Sequence, residues 1–413
     1  MLRSVPRLWL RLSLLMLALP LAALRGQTPS EGMDAVDAQY RKHRQLIGQL
    51  LKGSIEADPK DKDTAEAVDA LAKYATLRFL SDLDQKAPGK MDGTYLDFDR
   101  NVTSILRTKD KGKSFAQMYT HQIIVHSKQV LNDGRPIAQV NVARVLARLA
   151  DLEQGELADA LVEVLQDAKL TNPAVKYYAF RGLYELLRKP VPAPPDPPVV
   201  SKAQEEKAVA ALVEFLQRKA PAFPAGTPRA EVDGYRVVRR EALRALAQTH
   251  NPVVGAARPA LLLLRVAGRD PGVVPEPRPD ERVEAAIGVA RMRSAAAKDY
   301  QPDYAAWVLG KCVVEFVNAA NGNSKAAKTA LRSRPWKIDA ARLGEALEAM
   351  KADTKDKYVE NVVGRALPLL TAVEGGQRPD PAALNTWLAG NEPPHKELFK
   401  DMPESAVKEA AGE

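Results

Sequence analysis

Residues 160–167 read Ala-Leu-Val-Glu-Val-Leu-Gln-Asp, and residues 211–218 read Ala-Leu-Val-Glu-Phe-Leu-Gln-Arg. Six of the eight positions coincide at a separation of 51 residues. Each copy is followed by a second apolar-periodic segment, Val175–Leu187 after the first and Val237–Ala247 after the second. A helix, a turn and a second helix, written more than once, predict a stacked array, because one such hairpin cannot bury its apolar face alone. The expected fold class is therefore all-α, an irregular α-solenoid of helical hairpins flanked by further helical segments.

The composition agrees. The 413 residues are 46% hydrophobic but only 6% aromatic, which suits amphipathic helices better than sheets. Thirty prolines cluster between the periodic segments and punctuate them. The formal charge is +8, but Arg3, Arg7, Arg11 and Arg25 lie in an N-terminal stretch without acids, and the remainder carries +4. So mild an excess does not by itself call for nucleic acid. A single cysteine, Cys312, excludes an intrachain disulfide and a zinc–cysteine cluster.

A basic start, the apolar run Leu12–Leu24 and the small residues Ala22 and Ala23 predict a signal peptide over residues 1–26. The run is short of the ~20 residues that span a bilayer as a helix. Leu21 stands where cleavage after Ala23 favours a smaller residue, so an uncleaved anchor is the alternative. The expected location is exported, periplasmic or extracellular, and the near absence of cysteine favours a bacterial envelope.

Beyond it the pattern divides into an N-terminal helical segment (31–132), repeats with proline-rich insertions (134–293), a C-terminal helical segment (300–390) and a mobile tail (391–413). Lys86–Thr94, with one proline and two glycines, predicts a loop, and Thr64 a helix cap. Thr171-Asn172-Pro173 and His250-Asn251-Pro252 both predict helix starts, with Asn at the cap and Pro in the first turn. Loops are expected at 190–198, 220–229 and 270–280, and a short helix near Lys325–Leu331.

The pattern Val-Lys/Arg-x-x-Ala-x-x-small-Leu resembles HEAT and HEAT-like repeats. It stands as Val175, Lys176, Ala179, Gly182, Leu183 and as Val238, Arg239, Ala242, Ala245, Leu246. Ala143 with Leu146, and Val283 with Ala290, are degraded copies. The resemblance covers about Gly134 to Met292 and implies an α-solenoid that binds other proteins and lacks catalysis of its own.

Residue by residue, chemistry is sparse. Asp97, Asp99 and Asn101 open like a calcium loop, but Val102 stands where glycine is needed and Thr108 where glutamate is. Gly112-Lys113-Ser114 lacks the first glycine of a phosphate loop. His121 and His126 are five apart, wrong for paired ligands on a helix, and His43, His250 and His395 stand isolated. Cys312 falls in an apolar helix, as a buried small residue would. No catalytic residue, cofactor or metal ligand is nominated.

The nominated binding residues are two groups. Arg236, Arg240 and Arg244, with Arg239 alongside, make a basic stripe that Arg144, Arg148 and Arg181 would extend if successive repeats align. Tyr177 and Tyr178 add an aromatic load of the kind enriched at interfaces. The expected function is a protein-binding or scaffolding solenoid. The alternatives are a binder of an anionic polymer or acidic partner through the arginines, and an enzyme whose site is not legible.

Overall fold

The octapeptide copies lie in two helices, Glu156–Gln166 and Lys202–Gln217, that pack side by side, and the helices after them, Pro173–Leu187 and Arg229–Leu246, do the same. The computed structural model describes residues 30–84, 88–108, 112–190, 197–218, 220–221, 223–224, 226–322 and 335–400. Among these the regular structure is helical: α1 (Ser30–Leu51), α2 (Lys62–Asp84), α3 (Pro88–Arg107), α4 (Lys113–Asn132), α5 (Pro136–Leu149), α6 (Glu156–Gln166), α7 (Pro173–Leu187) and α8 (Lys202–Gln217). They continue with α9 (Arg229–Leu246), α10 (Pro259–Ala267), α11 (Pro279–Ala290), α12 (Pro302–Ala320), α13 (Trp336–Asp353), α14 (Lys357–Glu374) and α15 (Ala382–Gly390).

Two layers result. Helices α2, α4, α6, α8, α10, α12 and α14 pack in succession as one layer, and α3, α5, α7, α9, α11 and α13 as the other. Successive hairpins cross between them, which is the α-solenoid arrangement. One hydrophobic core runs from Ile47 to Phe399 without a break, through the Asn132–Gly134 turn. The four degraded and intact copies of the repeat pattern fall on the consecutive second-layer helices α5, α7, α9 and α11.

The pattern residues explain the stacking. Val175, Ala179, Leu183, Ala242, Ala245 and Leu246 are buried. A Cβ on Gly182 would meet the Leu161 Cδ1 of α6 at 2.7 Å and the Ala147 Cα of α5 at 3.3 Å, so a small residue lets α7 approach both, and a larger one would displace Leu161. The start of α7 is capped as expected, the Asn172 side chain accepting the Ala174 amide at 2.9 Å. The interval of 63 residues between Ala179 and Ala242 contains α8, with 14 residues of sequence between α7 and α8 and 11 between α8 and α9.

Several expectations are corrected. Pro88–Thr94 is the first turns of α3 and not a loop; Gly89 and Gly93 face open space and are accommodated in the helix. Asp61, not Thr64, caps α2, its carboxylate accepting the Thr64 amide at 2.8 Å. His250-Asn251-Pro252 starts no helix. Val254 and Ala257 exchange backbone hydrogen bonds around Gly255, whose φ of +57° closes the turn, and α10 begins at Pro259. Of the expected tail, residues 391–400 pack against α12: Leu398 and Phe399 are buried, and the Gln301 and Lys400 amides donate to the Leu398 and Asp299 carbonyls at 2.8 Å each. The signal segment, the helix near Lys325–Leu331 and residues 401–413 lie outside the described residues.

Candidate functional site

Stacking brings the nominated arginines of α9 beside α11, and it changes what they are. Arg239 is 2% exposed and cannot reach a partner. Its Nε donates to Glu281 Oε1 at 2.6 Å and its Nη2 to the Pro275 carbonyl at 2.8 Å. Arg240 meets Asp280 at 3.2 Å, and Arg236 meets Asp233 at 3.5 Å and the Glu276 carbonyl at 3.0 Å. Arg278 bridges Asp233 and Asp280 at 3.2 and 3.4 Å. The expected basic stripe is thus interleaved with carboxylates from its own helix and the next.

Arg244 extends the pairing in both directions. Its Nη1 donates to Glu241 at 3.1 Å, its Nε lies 3.5 Å from Glu284 of α11, and its guanidinium sits 4.6 Å over the Tyr184 ring of α7. Burial would lower the Arg244 value, but Glu241 and Glu284 outweigh it and hold the group above the usual arginine range. Glu284 is gripped in turn by Arg342 of α13 at 2.7 Å, and Arg342 lies 3.9 Å from Asp339. A ladder of alternating charge therefore crosses α9, α11 and α13, with the Tyr184 ring of α7 at its end. Paired in this way, it offers a polyanion little free positive charge.

The other nominated group keeps its freedom. Tyr177 and Tyr178 are half-buried and meet edge to face at 5.3 Å between ring centroids. Arg181, one turn on, is exposed and makes no ion pair or hydrogen bond with any described residue. On the α5 side Arg144 lies 3.5 Å over the Tyr95 ring of α3 and 3.7 Å from Asp92. Burial pushes the Tyr178 hydroxyl up, against the pull of Arg144 and Arg181. Tyr95, Arg144, Tyr177, Tyr178 and Arg181 thus form one aromatic–arginine patch over α3, α5 and α7. Arg148 is drawn away from it by Asp99 at 2.5 Å, Asp151 and Thr103.

Sequence reasoning missed Tyr95, because α3 carries no repeat signature, and missed Glu284 and Arg342, whose pairing spans 58 residues. It also left the histidines unpartnered. His43, His121, His126 and His395 each face a carboxylate, Glu66 at 3.6 Å, Glu156 at 3.1 Å, Asp69 at 2.7 Å and Asp303 at 3.0 Å. Asp97, Asp99 and Asn101 lie within α3, where no calcium loop can form. Among the described residues no trio of His, Cys, Asp or Glu is placed to hold a metal ion, and no helix is long and apolar enough to cross a membrane.

No protein-family model matches the chain, and no curated protein matches it. Among solved structures it aligns with the crystal structure of an engineered protein at 17% identity, covering 82% of this chain and 93% of that one, with a TM-score of 0.24. That score is too low to bear on fold or function.

Proposed function

We propose that the chain is an exported, HEAT-like α-solenoid that binds another protein, with its contact surface at the Tyr177–Tyr178–Arg181 patch. The observation that supports this reading is Arg181, an exposed arginine without a carboxylate beside two half-exposed tyrosines on a rigid second-layer helix. Tyrosine and arginine are the side chains that most often anchor interfaces, since each supplies a large contact area with a polar end. The helices on either side hold them at fixed spacing, so little ordering entropy is lost on docking.

The reading assigns the α9 arginines a structural part and directs an acidic or hydrogen-bonding partner to Arg181 and Arg144. Affinity capture from an envelope fraction at low and high salt tests it, using the mature chain, Arg181→Glu with Tyr178→Ala, and Arg240→Gln as a control. A stoichiometric protein retained at high salt by the parent and the control, and lost by the patch variant, is the expected result. Retention by all three removes the patch from the proposal. Recovery of an anionic polymer that salt releases replaces the protein-binding reading with the polyanion one.

A further inference from the structure

Helices α9 and α11 are second-layer neighbours, and the segments that leave their C-terminal ends meet. After α9 the chain passes Thr249 and His250 to the Val254–Ala257 turn; after α11 it runs from Arg291 to Gln301. The Arg293 amide donates to the His250 carbonyl at 2.7 Å and ties the two segments together. Residues 398–400 join the same edge. Phe399 pairs with Tyr300 in a backbone bridge, and the Arg258 guanidinium lies 5.0 Å from its ring centroid.

These segments carry cations that nothing neutralises. Arg258 and Arg291 are half-buried, and His250, Arg293, Lys298 and Lys400 are exposed. None of the six makes an ion pair or a side-chain hydrogen bond with any described residue. Asp299 is the one acid between Arg291 and Gln301. Of the neighbouring carboxylates, Asp353 accepts the Ser294 amide and hydroxyl at 2.7 Å each, and Glu205 accepts the Thr249 hydroxyl at 3.2 Å. Glu206 lies beside Gly255.

The grouping departs from the rest of α9 and α11. There Arg236, Arg239, Arg240, Arg244 and Arg282 each meet a carboxylate. Arg291 and Arg293 meet none and act on His250 instead. Burial, then Arg293 and Arg291, hold its imidazole below the usual histidine range. A cation near a helix C-terminus is favoured by the helix dipole, which accounts for one such residue at each end. It does not account for two guanidiniums drawn to one imidazole, where like charges repel until an anion comes between them.

We propose that His250, Arg291 and Arg293 form a binding site for a tetrahedral dianion, a phosphate group by class, within the positive field of Arg258, Lys298 and Lys400. The two guanidiniums offer planar forks of donors that match phosphate oxygens, and the imidazole supplies a further N–H. The site is separate from the α3–α5–α7 patch, because it lies at the C-terminal ends of α9 and α11. The same group is carried by free phosphate and by the headgroup of an anionic lipid.

The test is calorimetry and thermal melting of the full chain with inorganic phosphate, in a chloride buffer of matched low ionic strength. The parent is expected to bind phosphate saturably at millimolar concentrations and to melt higher in its presence. Arg291→Gln with Arg293→Gln should weaken phosphate about tenfold or more, the size of lost charge-assisted hydrogen bonds. Without phosphate this variant should melt no lower than the parent, since neither side chain holds a partner in the free chain. Arg181→Gln, which removes an exposed arginine elsewhere, should bind phosphate as the parent does. Phosphate should also shift the His250 ring resonances of the parent and leave those of His121 in place. Phosphatidylcholine vesicles with and without phosphatidic acid then separate the sources. Binding to phosphatidic acid that is tighter than to free phosphate assigns the site to a lipid headgroup, and weaker binding assigns it to free phosphate; both uphold the site. No saturable phosphate binding, undiminished affinity in the double variant, or an equal loss in Arg181→Gln overturns the proposal.

Discussion

Arg239 and Glu281 meet where solvent reaches neither: Nε to Oε1 is 2.6 Å, and the side chains are 3% and 0% exposed. The pair joins α9 to the first turn of α11, where the second Glu281 oxygen also accepts the Arg278 amide at 2.9 Å. Burial pushes the Glu281 carboxyl up, with Arg239 pulling against it. A basic residue that would serve a partner on an open surface serves the repeat junction here.

Breaking the pair should cost more than replacing it. Arg239→Met or Glu281→Gln leaves a buried group uncompensated and is expected to lose about 3–5 kcal/mol. The double variant Arg239→Met with Glu281→Leu should recover most of that, since an apolar pair of similar volume often matches a buried ion pair. Urea denaturation of the three variants checks this. A double variant less stable than either single one would show that the ionic pair is a net source of stability.

Two glycines on adjoining helices should respond in opposite directions. A Cβ on Gly288 of α11 would fall 2.8 Å from the Ala247 Cβ and 2.9 Å from its Cα, so Gly288→Ala must push α11 off the end of α9. A loss of about 1–3 kcal/mol is expected, as for other overpacked cores. Gly234 in α9 has nothing within 4 Å of its virtual Cβ, and Gly234→Ala should gain up to about 1 kcal/mol from helix propensity. Thermal melts of the two variants decide it.

Besides its backbone bonds and apolar contacts, the segment after α15 meets one buried carboxylate. Asp303, with a side chain 1% exposed, receives the His395 amide at 3.0 Å and faces its Nδ1 at the same distance. Asp303→Asn keeps the volume but loses the charge. It should speed amide hydrogen exchange at His395, Lys400 and Gln301 while leaving α5 to α9 protected. Unchanged exchange at these three amides would mean that the backbone bonds and the packing of Leu398 and Phe399 hold the segment without the carboxylate's charge.

The layer architecture was legible because its signal is periodic. Ala179, Gly182 and Leu183, and then Ala242, Ala245 and Leu246, carry the seam in their spacing. Helix α10 was not, because Leu261–Leu264 is apolar on every side and so has no period to detect; Leu262, Leu263 and Leu264 are all buried. Of the nominated site, Tyr177, Tyr178 and Arg181 come together on α7, within one helix where spacing is reliable. Arg239 and Arg240 were claimed by Glu281 and Asp280, some 40 residues on, and no local pattern announces such partners, whereas Asp233 beside Arg236 and Glu241 beside Arg244 stood three residues away on the same helix. Helical spacing fixes which residues share a face, and tertiary pairing decides what that face is for.

Lys176 occupies the position in α7 that Arg239 occupies in α9, and it is used differently. Its Nζ donates to the Val164, Leu165 and Asp167 carbonyls at 2.6, 2.9 and 3.0 Å, satisfying the open C-terminal end of α6. Burial, helped by Arg218 and opposed by Asp167, lowers its pKa to about 8. An unfolded lysine keeps its proton to ~10.4. Between these values the unfolded chain binds more protons than the folded one, so this residue's contribution to stability rises as the pH climbs from about 8 to ~10.4. Lys176→Met removes the titration along with the three hydrogen bonds. The gap in urea midpoint between parent and variant should therefore widen in favour of the parent across that interval. A constant gap would mean that the carbonyls hold the proton on Lys176 throughout, and that its role is the cap alone.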